Sequence, residues 1–417
     1  MADVVKFIHS ADLHLDAPFQ GVDATDERVR QALIASTYEA FARVVDACLE
    51  HEAHFLVVAG DVFNSRDRSL RAQLAFHAQV ERLNEAGIPV FVAHGNHDPA
   101  DGWSAQLSVP ENLTYFPTDS VGRFEVVRDG EVLCGVYGRS FRRSAETSNL
   151  ARTFSREPAD TVCIGVLHAN VGGNTDYEPY APCSVDDLRA ANMDYWALGH
   201  IHKPGRVSDD PRAIYPGSPQ GLNPKESGAH GCYVVEIAGG VATEEFVPTA
   251  SVEWARVDLN ANGLETIGDV ADAVRRACES LRAQSAVPLI MRVDLIGRST
   301  AHAELARGTN LEELVADLRD EQLSAEPWLW LDRVRDLSSP TIDLDEVRAA
   351  PDFAGDLVRI ADELISDDAQ AESLLRDVIG PFESSMGVVE LGMGPSEVLE
   401  RARDLCLDKL LEGAEDR

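Results

Sequence analysis

A chain of 417 residues with 44% hydrophobic side chains is long enough for two or three domains with sizeable cores. No window approaches roughly 18 uninterrupted apolar residues, which excludes a membrane-spanning helix, and seven scattered cysteines point to a reducing, cytoplasmic setting instead of a disulfide framework. A formal charge of −34, with only Lys6, Lys203, Lys225 and Lys409 as lysines among 37 basic residues, excludes a protein that grips nucleic acid by bulk charge.

In chain order, residues 4–9 read as a short strand and 27–50 as a helix. The apolar face of that helix collects Leu33, Ile34, Phe41, Val44, Val45 and Leu49 at spacings of three and four. Residues 55–59 form a buried strand, 70–86 a helix closed by Gly87, and 89–93, 132–137, 162–167 and 195–198 further short strands apolar on both faces. Residues 231–237 and 244–248 close the region as antiparallel strands. Apolar strands alternating with helices imply an α/β fold with its sheet buried on both faces. A second unit, β-α-β-α-β, is expected over 249–338, built from strands at 252–259, 288–296 and 328–334 with helices at 266–282 and 310–318. From 339 to 417 the pattern is helical. Phe353, Leu357, Ile360 and Leu364, then Val398, Leu399, Leu405 and Leu411, recur at helical spacings, with interruptions expected at 381–382 and 392–395.

Five short segments at the carboxyl ends of the predicted strands carry the chemistry: Asp12-Leu13-His14, Gly60-Asp61, Gly95-Asn96-His97-Asp98, His168 and Gly199-His200-Ile201-His202. Ligand sites of α/β folds collect at that edge. Asp, Asn and His offer the oxygen and imidazole donors that suit Mn²⁺, Fe or Zn²⁺, and no Cys belongs to the set. Two adjacent cations need a shared carboxylate, for which Asp61 is the natural bridge. Asp12 and His14, two apart on an extended stretch, point the same way and can chelate one ion. His200 and His202 can splay, one to each ion; Asn96 adds a neutral carbonyl oxygen, and His168 completes the second ion. His97 is then free to protonate a leaving oxygen, with Asp98 orienting it. His51, His54, His77, His230 and His302 read as surface or loop groups, His9 and His94 as supporting or core groups, and the cysteines as packing residues.

HSADLHLDAPF, GDVFN, HGNHD, GHIHKPG and YPGSPQGLNPKESGAHGCYVV together resemble the calcineurin-like metallophosphoesterases, and within them the SbcD-like DNA repair exonucleases of the YhaO branch. The resemblance covers residues 1 to about 240. It implies a four-layer β-sandwich flanked by helices over residues 1–248; by element order alone 249–338 is a small α+β cap, and by its apolar pattern 339–417 is a helical tail. It implies two divalent ions, Mn²⁺ for preference. Asp12, His14, Asp61 and His202 would hold one ion and Asp61, Asn96, His168 and His200 the other, with His97 as the transition-state histidine. It further implies cleavage of DNA phosphodiesters and an SbcC- or YhaN-like coiled-coil ATPase partner, bound through the helices after 340. Members of that family often dimerise, so a homodimer is the corresponding expectation.

Gly60-Asp-Val-Phe-Asn64 departs from the Gly-Asp-x-x-Asp-Arg-Gly of protein phosphatases, which speaks against a phosphoprotein substrate. Arg66, Arg68 and Arg71, with Arg139, Arg142 and Arg143, stand either as lining of a DNA path or as solvated charge. The competing functions are a small-molecule phosphodiesterase for a cyclic nucleotide or nucleotide-sugar, and a non-catalytic scaffold for the ATPase. The complete donor set weighs against the scaffold, and about 175 residues beyond the core weigh against the small substrate.

Overall fold

The computed structural model describes residues 4–22, 25–128, 130–386 and 394–415. Four strands open the chain and run parallel: β1 (Val5–Ser10), β2 (Phe55–Ala59), β3 (Val90–Ala93) and β4 (Leu113–Tyr115). The chain then builds a second sheet from β5 (Gly122–Arg128), β6 (Glu131–Arg139), β7 (Cys163–His168), β8 (Tyr195–Gly199), β9 (Gly205–Asp209) and β10 (Arg212–Tyr215). It returns through β11 (Gly231–Ala238) and β12 (Val241–Pro248), which join the first sheet antiparallel beside β1. The resulting orders are β12-β11-β1-β2-β3-β4 and β5-β6-β7-β8-β10-β9, both mixed sheets of six strands.

The apolar strands explain why the two sheets face each other. Alternate residues of a strand point to opposite faces. Phe55 and Val57 of β2 therefore enter a core shared with Val5, Phe7, Val136, Ile164, Val166 and Tyr195 between the sheets. Leu56 and Val58 point outward, against Phe41 and Val44 of helix α1 (Glu27–Glu50) and Phe76, Val80 and Leu83 of helix α2 (Leu70–Glu85). The far side of the second sheet packs Leu167, Trp196 and Leu198 against Phe141, Leu150, Phe154 and Leu188, the last from helix α3 (Val185–Ala190). The layers run helix, sheet, sheet, helix. Caps set the helix starts: Asp26 accepts from the Val29 amide at 3.0 Å and Ser69 from the Ala72 amide at 3.1 Å.

A third sheet, ordered β13-β14-β15, comprises β13 (Glu253–Asn260), β14 (Leu289–Arg298) and β15 (Leu329–Ser339). Helix α4 (Ile267–Arg282) connects its first two strands, and α5 (His302–Leu305) and α6 (Asn310–Leu323) its last two. Helices α7 (Leu344–Ala349), α8 (Phe353–Ile365), α9 (Asp368–Met386) and α10 (Pro395–Glu415) follow. The chain divides into two compact units. Met1–Val257, Arg275–Val293 and Val315–Val334 form one; Asp258–Val274, Asp294–Leu314 and Arg335–Arg417 form the other. No helix among the described residues is long and apolar enough to cross a membrane.

Several expectations need correction. Ile34 is exposed on α1, because the buried stripe runs through Val29, Leu33, Phe41, Val44 and Val45 instead. The interruption expected at 381–382 is absent: α9 continues through Pro381, which gives up one backbone donor without ending the helix. Of the second interruption, residues 392 and 393 lie outside the described residues. Phe353, Ile360 and Leu405 are exposed, and Val358 and Leu407 are the buried apolar positions of α8 and α10; the Leu411 side chain lies outside those described. His230 is buried and hydrogen-bonded, not a surface group, while Cys406 is exposed instead of packed.

Candidate dimetal centre

The loops leaving β1 and β2 are tied side by side. The amides of Asp12, His14 and Leu15 donate to the carbonyls of Gly60, Asp61 and Val62, each at 3.0 Å, extending the parallel pairing past the strand ends. Four of the seven candidate ligands take positive φ: Asp12 (51°), His14 (43°) and Asp61 (52°) in these loops and His200 (106°) after β8. Side chains rarely adopt this region, at a cost of order 1–3 kcal/mol each, and such strain gathers at functional sites. Gly60 is required by close approach. At φ +99°, a Cβ on it would lie 2.2 Å from His168 Nδ1.

The polar atoms converge in two sets. In the first, His14 Nε2 lies 3.1 Å from His202 Nε2 and 3.9 Å from Asp61 Oδ2, and His202 Nε2 lies 4.0 Å from Asp12 Oδ1. In the second, His168 Nε2 lies 3.0 Å from Asn96 Oδ1 and 3.5 Å from Asp61 Oδ2. Asp61 belongs to both. The His200 amide donates to both Asp12 oxygens at 3.1 and 3.0 Å, and its ring Nε2 donates to the Glu178 carbonyl at 2.8 Å, leaving Nδ1 as the nitrogen able to bind a cation.

The tautomers bear on whether cations fit. His168 donates from Nδ1 to the Ala59 carbonyl at 2.9 Å, so its bare Nε2 confronts the oxygens of Asn96 and Asp61. His202 donates from Nδ1 to Glu226 at 2.9 Å, turning its Nε2 toward that of His14, whose own Nδ1 is buried without a partner. In the second set the bare His168 nitrogen thus faces oxygen lone pairs, which repel it; a cation among them reverses the sign. The donor set fits a pair of divalent ions.

The electrostatics agree. Burial pushes Asp12 and Asp61 well above the usual carboxylate range, with each carboxylate's acidic neighbour adding to the effect. Burial pulls His14 far down and holds His168 and His200 to about 4. Burial alone would lower His202 too, but the Glu226 hydrogen bond and the Asp12 charge override it and raise it to about 9. A cation supplies what both buried carboxylates lack.

His97 is exposed at the edge of the first set, its ring 4.8 Å from that of His14, and its Nδ1 meets the Asn64 carbonyl at 3.0 Å. Asp98 does not orient it. The Asp98 carboxylate is wholly buried, accepting from the amides of Gly95 at 2.9 Å and Val62 at 3.0 Å, and so clamps the loop after β3 to the loop after β2. Arg68, read as lining of a DNA path or as solvated charge, is neither: it is likewise buried, donating to the carbonyls of Asp98 and Pro99 at 2.9 and 2.8 Å. Arg66 pairs with Asp101, Arg142 with Asp119, and Arg71 lies over the Tyr38 ring. Sequence reasoning missed Glu226, Glu178 and Asn64. Glu226 stands in a quoted motif but 24 residues from His202, and the other two act through backbone carbonyls.

Comparison with known proteins agrees with this geometry. Residues 5–204 match the calcineurin-like phosphoesterase family, and residues 254–339 match the middle domain of metallophosphoesterase YhaO. The metallophosphoesterase YhaO of Bacillus subtilis strain 168 is 33% identical over 334 residues, 80% of this chain and 81% of that protein. The DNA double-strand break repair protein Mre11 of Sulfurisphaera tokodaii is 23% identical over 312 residues, covering 70% and 74% of the two chains. The Mre11 protein of Methanopyrus kandleri is 27% identical over 278 residues, 60% and 58% of the two. With its shared aspartate, its convergent imidazoles and this likeness to YhaO across four fifths of its length, the chain belongs to the calcineurin-like metallophosphoesterases.

Proposed function

We propose that this phosphoesterase hydrolyses phosphodiester bonds of DNA, with Asp12, His14, Asp61 and His202 holding one divalent ion and Asp61, Asn96, His168 and His200 the other. Mn²⁺ is the preferred metal. The observation that carries the reading is the Asp61 carboxylate, whose Oδ2 lies within 4 Å of both His14 and His168. Two bound ions would polarise the phosphoryl oxygens and make water a competent nucleophile near neutral pH. DNA as substrate is supported by the Mre11 repair proteins among the relatives.

His97 has the remaining task. Donation from Nδ1 to Asn64 fixes the ring and leaves Nε2, at an exposed position, to give a proton to the leaving oxygen. Asp98 holds the backbone beneath it in place. Residues 339–417 are the candidate docking region for an SbcC- or YhaN-like ATPase, a reading favoured by the exposed Phe353, Ile360 and Leu405.

The test is Mn²⁺-dependent cleavage of end-labelled single- and double-stranded DNA beside bis-p-nitrophenyl phosphate, with wild type and His97→Ala. The variant should keep both metals and lose roughly 10²–10⁴-fold in rate. Loss of a metal as well would make His97 a ligand, since its ring nitrogen lies within 4.8 Å of ligand atoms of His14 and Asp61. Turnover of the chromogenic ester with DNA untouched would point to a small-molecule phosphodiesterase, or to a nuclease that is silent without its ATPase.

A further inference from the structure

Beside the candidate metal centre a groove of about 1030 Å³ opens, lined by His202, Lys203, Arg206, Asn223, Lys225 and Ser227 among others. Its charge is out of keeping with the rest of the chain. At a formal −34 the protein has only four lysines, and two of them line this one groove. Lys6, by contrast, is neutralised by Glu236 at 2.7 Å. Among the described residues, the ammonium groups of Lys203 and Lys225 form no ion pair, and both residues are exposed. Arg206 on the same wall is already engaged by Asp209 at 2.9 Å and Glu244 at 3.4 Å.

The acids of the groove are Asp176 and Glu226. Glu226 is occupied: it receives His202 Nδ1 at 2.9 Å, the Leu222 amide at 2.7 Å and Asn223 Nδ2 at 2.7 Å. Its charge is directed at the metal centre and the 222–226 turn. That leaves two unpaired ammonium groups against the single exposed carboxylate of Asp176. The groove, at about 1030 Å³, lies at the top of the roughly 300–1,000 Å³ of ordinary small-ligand pockets. A small diester bound at the metal centre would leave most of it unused.

We infer that this groove is a phosphate-binding subsite in which Lys203 and Lys225 hold backbone phosphates of the substrate strand next to the scissile bond. The inference rests on the proposed DNA substrate and adds the residues that position it. Lysines bind phosphate as mobile point charges, so the subsite reads the backbone and not the base sequence.

The experiment is steady-state cleavage of a labelled oligonucleotide by the full chain with Mn²⁺, across a range of salt concentrations. The variants are Lys203→Ala/Lys225→Ala, Lys203→Arg/Lys225→Arg, and Lys6→Ala as a charge control. Loss of two phosphate contacts should raise KM on the order of tenfold and flatten the dependence of log KM on log salt by about 1.5, with kcat kept. The Arg pair should restore both, and Lys6→Ala should leave them as in wild type. Unchanged KM and salt slope in the double Ala variant, while wild type cleaves DNA, would overturn the subsite. A wild type that hydrolyses bis-p-nitrophenyl phosphate but no oligonucleotide, even with the coiled-coil ATPase added, would remove the DNA reading itself, and the subsite with it.

Discussion

At the scale of single residues, the site is organised by what holds each imidazole from behind. His168 is fixed by the Ala59 carbonyl, His200 by that of Glu178, His97 by that of Asn64, and His202 by the Glu226 carboxylate. Each donation selects the tautomer and aims the other nitrogen. The donors were legible in the sequence because Asp, Asn and His cluster in short motifs after strands. Their supports were not, since a carbonyl has no sequence signature and Glu226 reaches His202 only through folding. Glu226 is the support that acts through its side chain, so substitution can remove it. Glu226→Ala is expected to weaken metal affinity roughly 10- to 100-fold while His14, Asp12 and Asp61 stay in place. Titration with Mn²⁺ followed by calorimetry would read this, and wild-type affinity in the variant would show that Glu226 serves only the 222–226 turn.

At the scale of elements, apolar pattern and caps were enough to read α1, α2 and the central strands, because buried β-strands such as Phe-Leu-Val-Val-Ala at 55–59 and amphipathic helices state their own periods. Strands β4, β5, β9 and β10 went unread. Gly-Arg-Val-Ser-Asp in β9 is half exposed and carries little apolar signal, and its conformation is set by pairing with β10. The arrangement of strands into two facing sheets was likewise invisible locally, since the return of β11 to pair with β1 joins residues more than 220 apart in sequence. What keeps the ligand-bearing loops in register is Asp98. Burial works against its charge, yet the His94 ring, the Gly95 amide and Arg68 hold its pKa below the usual carboxylate value. Asp98→Ala leaves the amides of Val62 and Gly95 buried without acceptors. It should cost on the order of 3 kcal/mol of stability, measured by chemical denaturation. A loss below about 1 kcal/mol, typical of one ordinary hydrogen bond, would mean the loops are held by their backbone pairing alone.

For the molecule as a whole, the acidic balance and the metal centre meet in the dependence of stability on pH. Burial raises Asp12 and Asp61, so between the ordinary carboxylate value near about 4 and neutrality the unfolded chain gives up protons that the metal-free fold retains. That contribution is fully present at acid pH and is lost as pH rises through the raised values. His14, His168 and His200 are depressed and act in the opposite sense, removing stability as pH falls below the ordinary imidazole value near about 6.5. Bound cations need the carboxylates charged and those imidazoles neutral, so protons compete with metal least at alkaline pH. Saturating Mn²⁺ at a hundredfold over Kd stabilises by about 2.7 kcal/mol. At a fixed metal concentration the rise in Tm should therefore be several degrees at pH 8 and clearly smaller at pH 6, as followed by calorimetry with and without EDTA. A metal-induced shift that is equal at the two pH values, or larger at pH 6, would show that the ions bind groups other than the buried pair Asp12 and Asp61.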